Sequence, residues 1–97
     1  MNINVTPITE EQKIDFTTTT LDTLKTGQLG EIIAISRACH GQQRRRMMDL
    51  GVLPGTEISV EMESLGGDPI AYFIRGTTIA LRRNQAKVIH VKPIMEN

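Results

Sequence analysis

The chain has 97 residues, eleven basic and eleven acidic side chains, and no formal net charge; hydrophobic residues make up 39% and charged residues 23%. A chain of this size buries only about 60–65% of its unfolded surface and supports one core, which excludes a two-domain protein. The composition is globular, excluding collagen-like, coiled-coil and disordered classes, and the neutral balance argues against nucleic acid as a partner, because that affinity rests on Lys and Arg neutralising phosphates.

The start, MNINVTPITEEQKIDF, has neither the basic segment nor the apolar stretch of a secretory signal. No apolar run approaches the roughly 20 residues needed to cross a bilayer, so a cytoplasmic protein without direct membrane insertion is expected. The single cysteine, Cys39, has no internal partner, which agrees with a reducing compartment. Residues 1–20 are polar and end in four threonines; they are expected to be a flexible tail preceding one domain over 21–97.

Thr20 is placed to cap a short helical turn carrying Leu21 and Leu24, and Gly27 permits the reversal that follows. GEIIAIS sets Ile33 and Ile35 on one face and Ile32 and Ala34 on the other, a β-branched run that predicts a strand buried on both sides. The period then changes. Gln43, Met47 and Leu50 fall at i, i+4 and i+7, predicting a helix between His40 and Leu50 that Gly51 stops. Pro54 and Gly55 have the chemistry of a type II turn.

In TEISVEMES, Ile58, Val60 and Met62 alternate with Glu57, Ser59, Glu61 and Glu63, predicting a strand with one buried and one wet face. Gly66, Gly67, Asp68 and Pro69 predict a hairpin into IAYFIRG. A strand TTIAL, a turn or short helix RRNQAK and a last strand VIHV complete the chain. Five short strands and one helix without βαβ spacing predict a mainly β fold, a small partly open barrel. Met47 and Met62 are expected in its core, with Met48 exposed beside Leu53 as an apolar contact patch.

Catalysis finds little support. His40 and His90 are the only imidazoles, and neighbouring Cys39 and His40 diverge rather than converge. Neither a G-x-x-x-x-G-K-[ST] nor a G-x-G-x-x-G phosphate loop is present. Cys39, His40 and His90 are weak metal candidates; the plainer reading is a cysteine at the helix start, a solvent-facing histidine and a strand histidine. No cofactor is expected beyond a weak contact with Fe²⁺ or another transition metal. Phe16, Tyr72 and Phe73 are too few to build a groove for proline-rich peptides or a stacking platform for single strands.

Arg44, Arg45 and Arg46 fan around a helix at about 100° per residue, so their roles differ. Asp49 is spaced for ion pairs with Arg45 and Arg46, and Arg46 could also reach carbonyls at the helix end. Arg44 and Arg45 are then the candidates for a protein partner, since arginine is enriched at interface hot spots.

RRRMMDLGVLPGTEISV, followed by GGDPIAYFIRGTTIALRRNQAKVIHV, resembles the ferrous iron transport protein A (FeoA) family over about residues 21–92. Arg46, Leu50, Gly51 and Gly55 match its first motif, to which Pro54 supplies the turn. Asp68, Pro69, Ile70, Gly76, Ala80, Leu81, Arg82 and Ala86 match its second. Met47 stands where leucine is usual, a swap that keeps volume. The resemblance implies an SH3-like five-stranded β-barrel with one inserted α-helix, in a small non-enzymatic protein that assists the membrane ferrous iron transporter with its cytosolic GTPase domain. Docking would use Arg44, Arg45, Met48 and Leu53, and an arginine finger acting on the partner's GTP is a sharper version. The alternative is a metal-binding or metal-sensing domain like the C-terminal domain of iron-dependent repressors. Self-association stays open.

Overall fold

The computed structural model describes residues 18–94. Strands β1 (Thr19–Thr20), β2 (Leu29–Ile35), β3 (Glu57–Glu63), β4 (Ile70–Ile74), β5 (Thr77–Leu81) and β6 (Ile89–Ile94) form one antiparallel sheet in the order β1-β6-β2-β3-β4-β5. A 3-10 turn (Leu21–Thr23) follows β1, helix α1 (Gly41–Asp49) lies between β2 and β3, and helix α2 (Arg83–Ala86) joins β5 to β6. The mainly β expectation holds, but the sheet has six strands rather than five. The added strand, β1, lies in the segment expected to be tail: Thr19 and Thr20 pair with Val91 and His90. Two residues are too few to show alternation. The rest of that segment, residues 1–17, lies outside the described residues.

The core gathers the inward side chains of the curled sheet: Ile32 and Ile35 from β2, Ile58 and Val60 from β3, Ile70, Tyr72 and Ile74 from β4, Leu81 from β5, Ile89 and Val91 from β6. Leu21, Leu24, Met47, Val52 and Ala86 close it from the connecting segments. Burial of this branched set supplies the main stabilising term, about 1.5–3 kcal/mol for each large side chain taken fully out of water.

Two bulges correct the face assignments. In β2, Ile32 pairs with Val91 and Ala34 with His90, so Ile33 is the extra residue. It is half-exposed, as are Leu29 and Glu31, so β2 buries one face up to Ile33; the phase shift there turns Ile35 inward, and only at this end, where Ala34 is buried opposite His90, are both faces covered. In β3, Val60 pairs with Tyr72 and Met62 with Ala71, leaving Glu61 extra. Strict alternation would have buried Met62. The bulge reverses the phase, and Met62 is 61% exposed. Thr20 does flank the 3-10 turn as its N-cap, but its hydroxyl donates to the Asp22 carboxylate instead of accepting a backbone N–H.

The predicted turns are present. Thr56 N–H donates to Leu53 C=O across Pro54 and Gly55 (3.1 Å), with Gly55 at φ +90°. The β3–β4 hairpin carries Gly66 and Gly67 and a cis peptide between Asp68 and Pro69. The β4–β5 turn is tighter: Ile74 faces Thr77, and the two residues between, Arg75 and Gly76, have φ +52° and +80°. Positive φ at both central positions is the type I′ geometry, whose twist matches that of the flanking strands. Gly76 adopts it without penalty, whereas Arg75 holds it against its own Cβ.

Candidate functional site

Helix α1 is built from good helix formers, Gln-Gln-Arg-Arg-Arg-Met-Met, over residues 42–48. Its end is closed by two reciprocal bonds, Val52 N–H to Met47 C=O and Gly51 N–H to Met48 C=O, both at 3.0 Å. With Gly51 at φ +100° this is the Schellman arrangement, and its accompanying apolar contact falls on Met47 and Val52, both buried. Leu50 is the half-buried C-cap, donating its N–H to Arg46 and Met47. A Cβ on Gly51 would also come within 2.6 Å of Arg75 Cδ. The helix stop predicted at Gly51 is therefore required by its positive φ, with the exposed Arg75 side chain crowding the same spot.

Only Met47 is fully buried on α1; Gln43, expected on the same inward stripe, is exposed. The helix stands outside the barrel, anchored by Met47 on one side and by Arg44 on another. Arg44 Nη1 donates to the carbonyls of Ile35, Ser36 and Cys39, each at 3.2 Å. These carbonyls lie where β2 ends and the chain bends into the helix. The carbonyl-binding role anticipated for Arg46 thus belongs to Arg44, and Arg44, anticipated at a partner surface, is half-buried. Sequence spacing could not show this, because the acceptors sit five to nine residues upstream in a bend that only the fold defines.

Arg45, Arg46 and Asp49 are exposed. Among the described residues Asp49 forms no ion pair with either arginine, contrary to expectation. Two shallow depressions flank the helix. One, of about 460 Å³, is lined by Gln42, Gln43, Arg45, Arg46, Asp49 and Gln85. The other, of about 380 Å³, is lined by Gly41, Arg44, Arg45, Met48 and Asp49. Arg45 and Asp49 form the ridge common to both. Met48, 45% exposed, stands on the second with Arg45. Leu53 is half-buried in the turn beyond the helix.

The weak metal candidates are dispersed. Cys39 is buried in the core, His40 is exposed at the N-cap of α1, and His90 is half-buried on β6 opposite Thr20 and Ala34. Among the described residues no three His, Cys, Asp or Glu side chains come together to hold a metal ion. Among the described residues no helix is long and apolar enough to cross a membrane.

A second arginine anchor escaped the sequence reading. Arg83 Nε donates to Gly67 C=O (2.7 Å), Nη1 to Asp22 C=O (3.1 Å), and Nη2 lies 3.3 Å from Glu63 Oε1. Asp68 answers by accepting the Arg83 backbone N–H at 3.0 Å. One guanidinium thereby ties the β3–β4 loop and the 3-10 turn to α2, and Asp68 joins the same loop to the Arg83 backbone. Beneath this network Tyr72 is fully buried, and its hydroxyl has no hydrogen-bond partner among the described residues. Burial, and secondly the Asp22 charge, push the phenol well above its ordinary range.

These elements define a small SH3-like β-barrel domain carrying one exposed, arginine-rich helix. The FeoA domain model matches residues 19–93, and the chain belongs to the FeoA family. It is similar to the solved FeoA-like protein from Clostridium acetobutylicum, at 32% identity over 86% of this chain and 94% of that one, with a TM-score of 0.75. FeoA of Stenotrophomonas maltophilia, solved with zinc and described as a prokaryotic SH3 domain protein, is 25% identical over 75% of this chain and 88% of its own, with a TM-score of 0.68. A manganese-dependent transcriptional repressor, 22% identical over 86% of this chain and 45% of that one, has a TM-score of 0.75 and shows the shared fold alone. No curated protein matches the chain.

Proposed function

We propose that this protein is a cytoplasmic accessory factor of ferrous iron uptake that docks, without catalysis of its own, on the cytosolic GTPase-containing part of the membrane Fe(II) transporter. Family membership supports the link to iron transport, and the Stenotrophomonas relative has itself been suggested as a ferrous iron transport activating factor. The observation that carries the docking surface is the posture of α1. Its one buried side chain, Met47, and the guanidinium of Arg44 hold it in place, which leaves Arg45 and Met48 presented to solvent.

Arg45 and Met48 supply the pairing of charge and adaptable apolar surface that protein interfaces use, with Leu53 at the margin. Arg44 contributes indirectly, by fixing the angle at which the helix is presented. Calorimetric titration of the purified transporter cytosolic region, in its GTP-analogue and GDP states, tests the reading. Heat of binding that is reduced by Met48→Asp is expected. Absence of heat in both nucleotide states overturns it.

A further inference from the structure

The two edges of the sheet differ. β1 spans two residues, whereas β5 presents a five-residue edge, Thr-Thr-Ile-Ala-Leu. The two-residue turn sets Ile74 opposite Thr77, so the pairs exchanging hydrogen bonds are Ile74 with Thr77, Tyr72 with Ile79, and Ile70 with Leu81. Thr78 and Ala80 therefore turn their N–H and C=O groups away from β4, and both residues are exposed. Natural sheet edges are guarded by charged side chains, proline, a bulge or a covering helix or loop; here α1 stands beside the Leu81 end, where Met47 and Leu50 line a cleft with Ala80 and Leu81, while Thr78 and Ala80 stay exposed. β5 contains no charge and no proline, and its register with β4 is unbroken.

Charge identifies what would pair there. Residues 69–95 contain no Asp or Glu but carry Arg75, Arg82, Arg83, Lys87 and Lys92. Arg75 precedes β5 and Arg82 follows it, both exposed. Arg46, Gln43 and Gln85 stand around a cleft of about 90 Å³ whose other wall includes Ala80 and Leu81. At the opposite end Glu61 accepts the Thr78 hydroxyl at 2.8 Å, so the basic end of the edge is the Ala80 end. A second copy is the competing occupant; the basic residues at both ends of β5, Arg75 and Arg82, favour an acidic segment over it, and the self-association outcome of the test distinguishes the two.

We propose that the β5 edge captures an extended acidic segment of a partner protein as an added strand, main chain to main chain at Thr78 and Ala80, with carboxylates meeting Arg46 and Arg82. Strand addition draws affinity from backbone hydrogen bonds and specificity from the flanking side chains. This surface adjoins the Arg45 and Met48 face through Arg46, but its test does not require the transporter.

The test uses the full chain and two synthetic peptides of equal length, one alternating Glu and Val, the other Lys and Val, with amide hydrogen exchange read by NMR. The Glu–Val peptide is expected to slow exchange at Thr78 and Ala80 at least about tenfold, and the Lys–Val peptide to leave it unchanged. Ala80→Pro deletes an N–H that points away from β4, so the fold is expected to persist while affinity falls about tenfold. Should that variant fail to fold, Arg46→Glu, on the exposed helix surface, is expected to weaken binding by a similar factor. The proposal is overturned if neither peptide protects these amides, if both do so equally, if they already exchange slowly in the free chain, or if self-association protects them instead.

Discussion

Residues 44–46 and residues 82–83 are both runs of consecutive arginines, and each run divides its labour in the same way. In the first, Arg44 donates to three carbonyls while Arg45 and Arg46 stay exposed. In the second, Arg83 binds two carbonyls and Glu63 while Arg82 stays exposed. The anchors differ in reach. Arg44 closes a local bend, with acceptors five to nine residues away, whereas Arg83 bridges segments 16 and 61 residues away. Surplus carbonyls at irregular backbone select which arginine becomes structural; the remainder stay exposed to solvent.

That division can be broken by experiment. Arg83→Ala is expected to have the largest effect, about 2 kcal/mol and a melting temperature lower by about 10 °C, because it strips charge-assisted bonds from three segments at once. Lysine should rescue it only in part, lacking the planar fork. Gly51→Ala should cost about 1–2 kcal/mol, since positive φ is unfavourable for alanine and Arg75 must move; thermal melting reads it directly. Arg44→Ala should cost about 1–2 kcal/mol and speed amide exchange over residues 36–41. If it instead weakens partner binding with no loss of stability, the anchor assignment is wrong.

Tyr72 sharpens the comparison beneath the Arg83 network. Its phenol is raised in the folded state above the ordinary value of 10.0, so its contribution to stability is intact below pH ~10. As pH climbs further, the unfolded chain loses the phenolic proton while the folded chain retains it, and stability falls. Tyr72→Phe should flatten that alkaline decline in melting temperature and, by deleting an orphan hydroxyl, leave neutral-pH stability equal or higher. The smallest expected stability change is for Arg45→Glu, within about 0.5 kcal/mol. Its effect should instead be slower association with the transporter region at low salt.

Legibility followed the range of the interaction. The turn at Pro54 and Gly55, the helix stop at Gly51 and the alternation of Ile58 with Val60 were readable because each is decided within a few residues. The failures came where decisions are made across the sheet. Met62 reads as core until the Glu61 bulge reverses its phase against β4, and Gln43 reads as inward until α1 is seen to stand off the barrel. The Arg75–Gly76 turn was missed because arginine is a poor advertisement for positive φ; the two-residue pairing of Ile74 with Thr77 imposes it. The helix surface was half legible: Met48 was expected exposed and is, while the carbonyl-binding role expected of Arg46 falls to Arg44.

By itself the amino-acid sequence determined the mainly β class, the order of the main elements and the turns between them, because period, glycine φ and proline φ are properties of short segments. The tertiary structure alone decided which arginines are anchors, which methionine faces water and which strand ends the sheet. Those outcomes depend on where distant carbonyls, bulges and neighbouring strands come to lie once the chain has closed on its core.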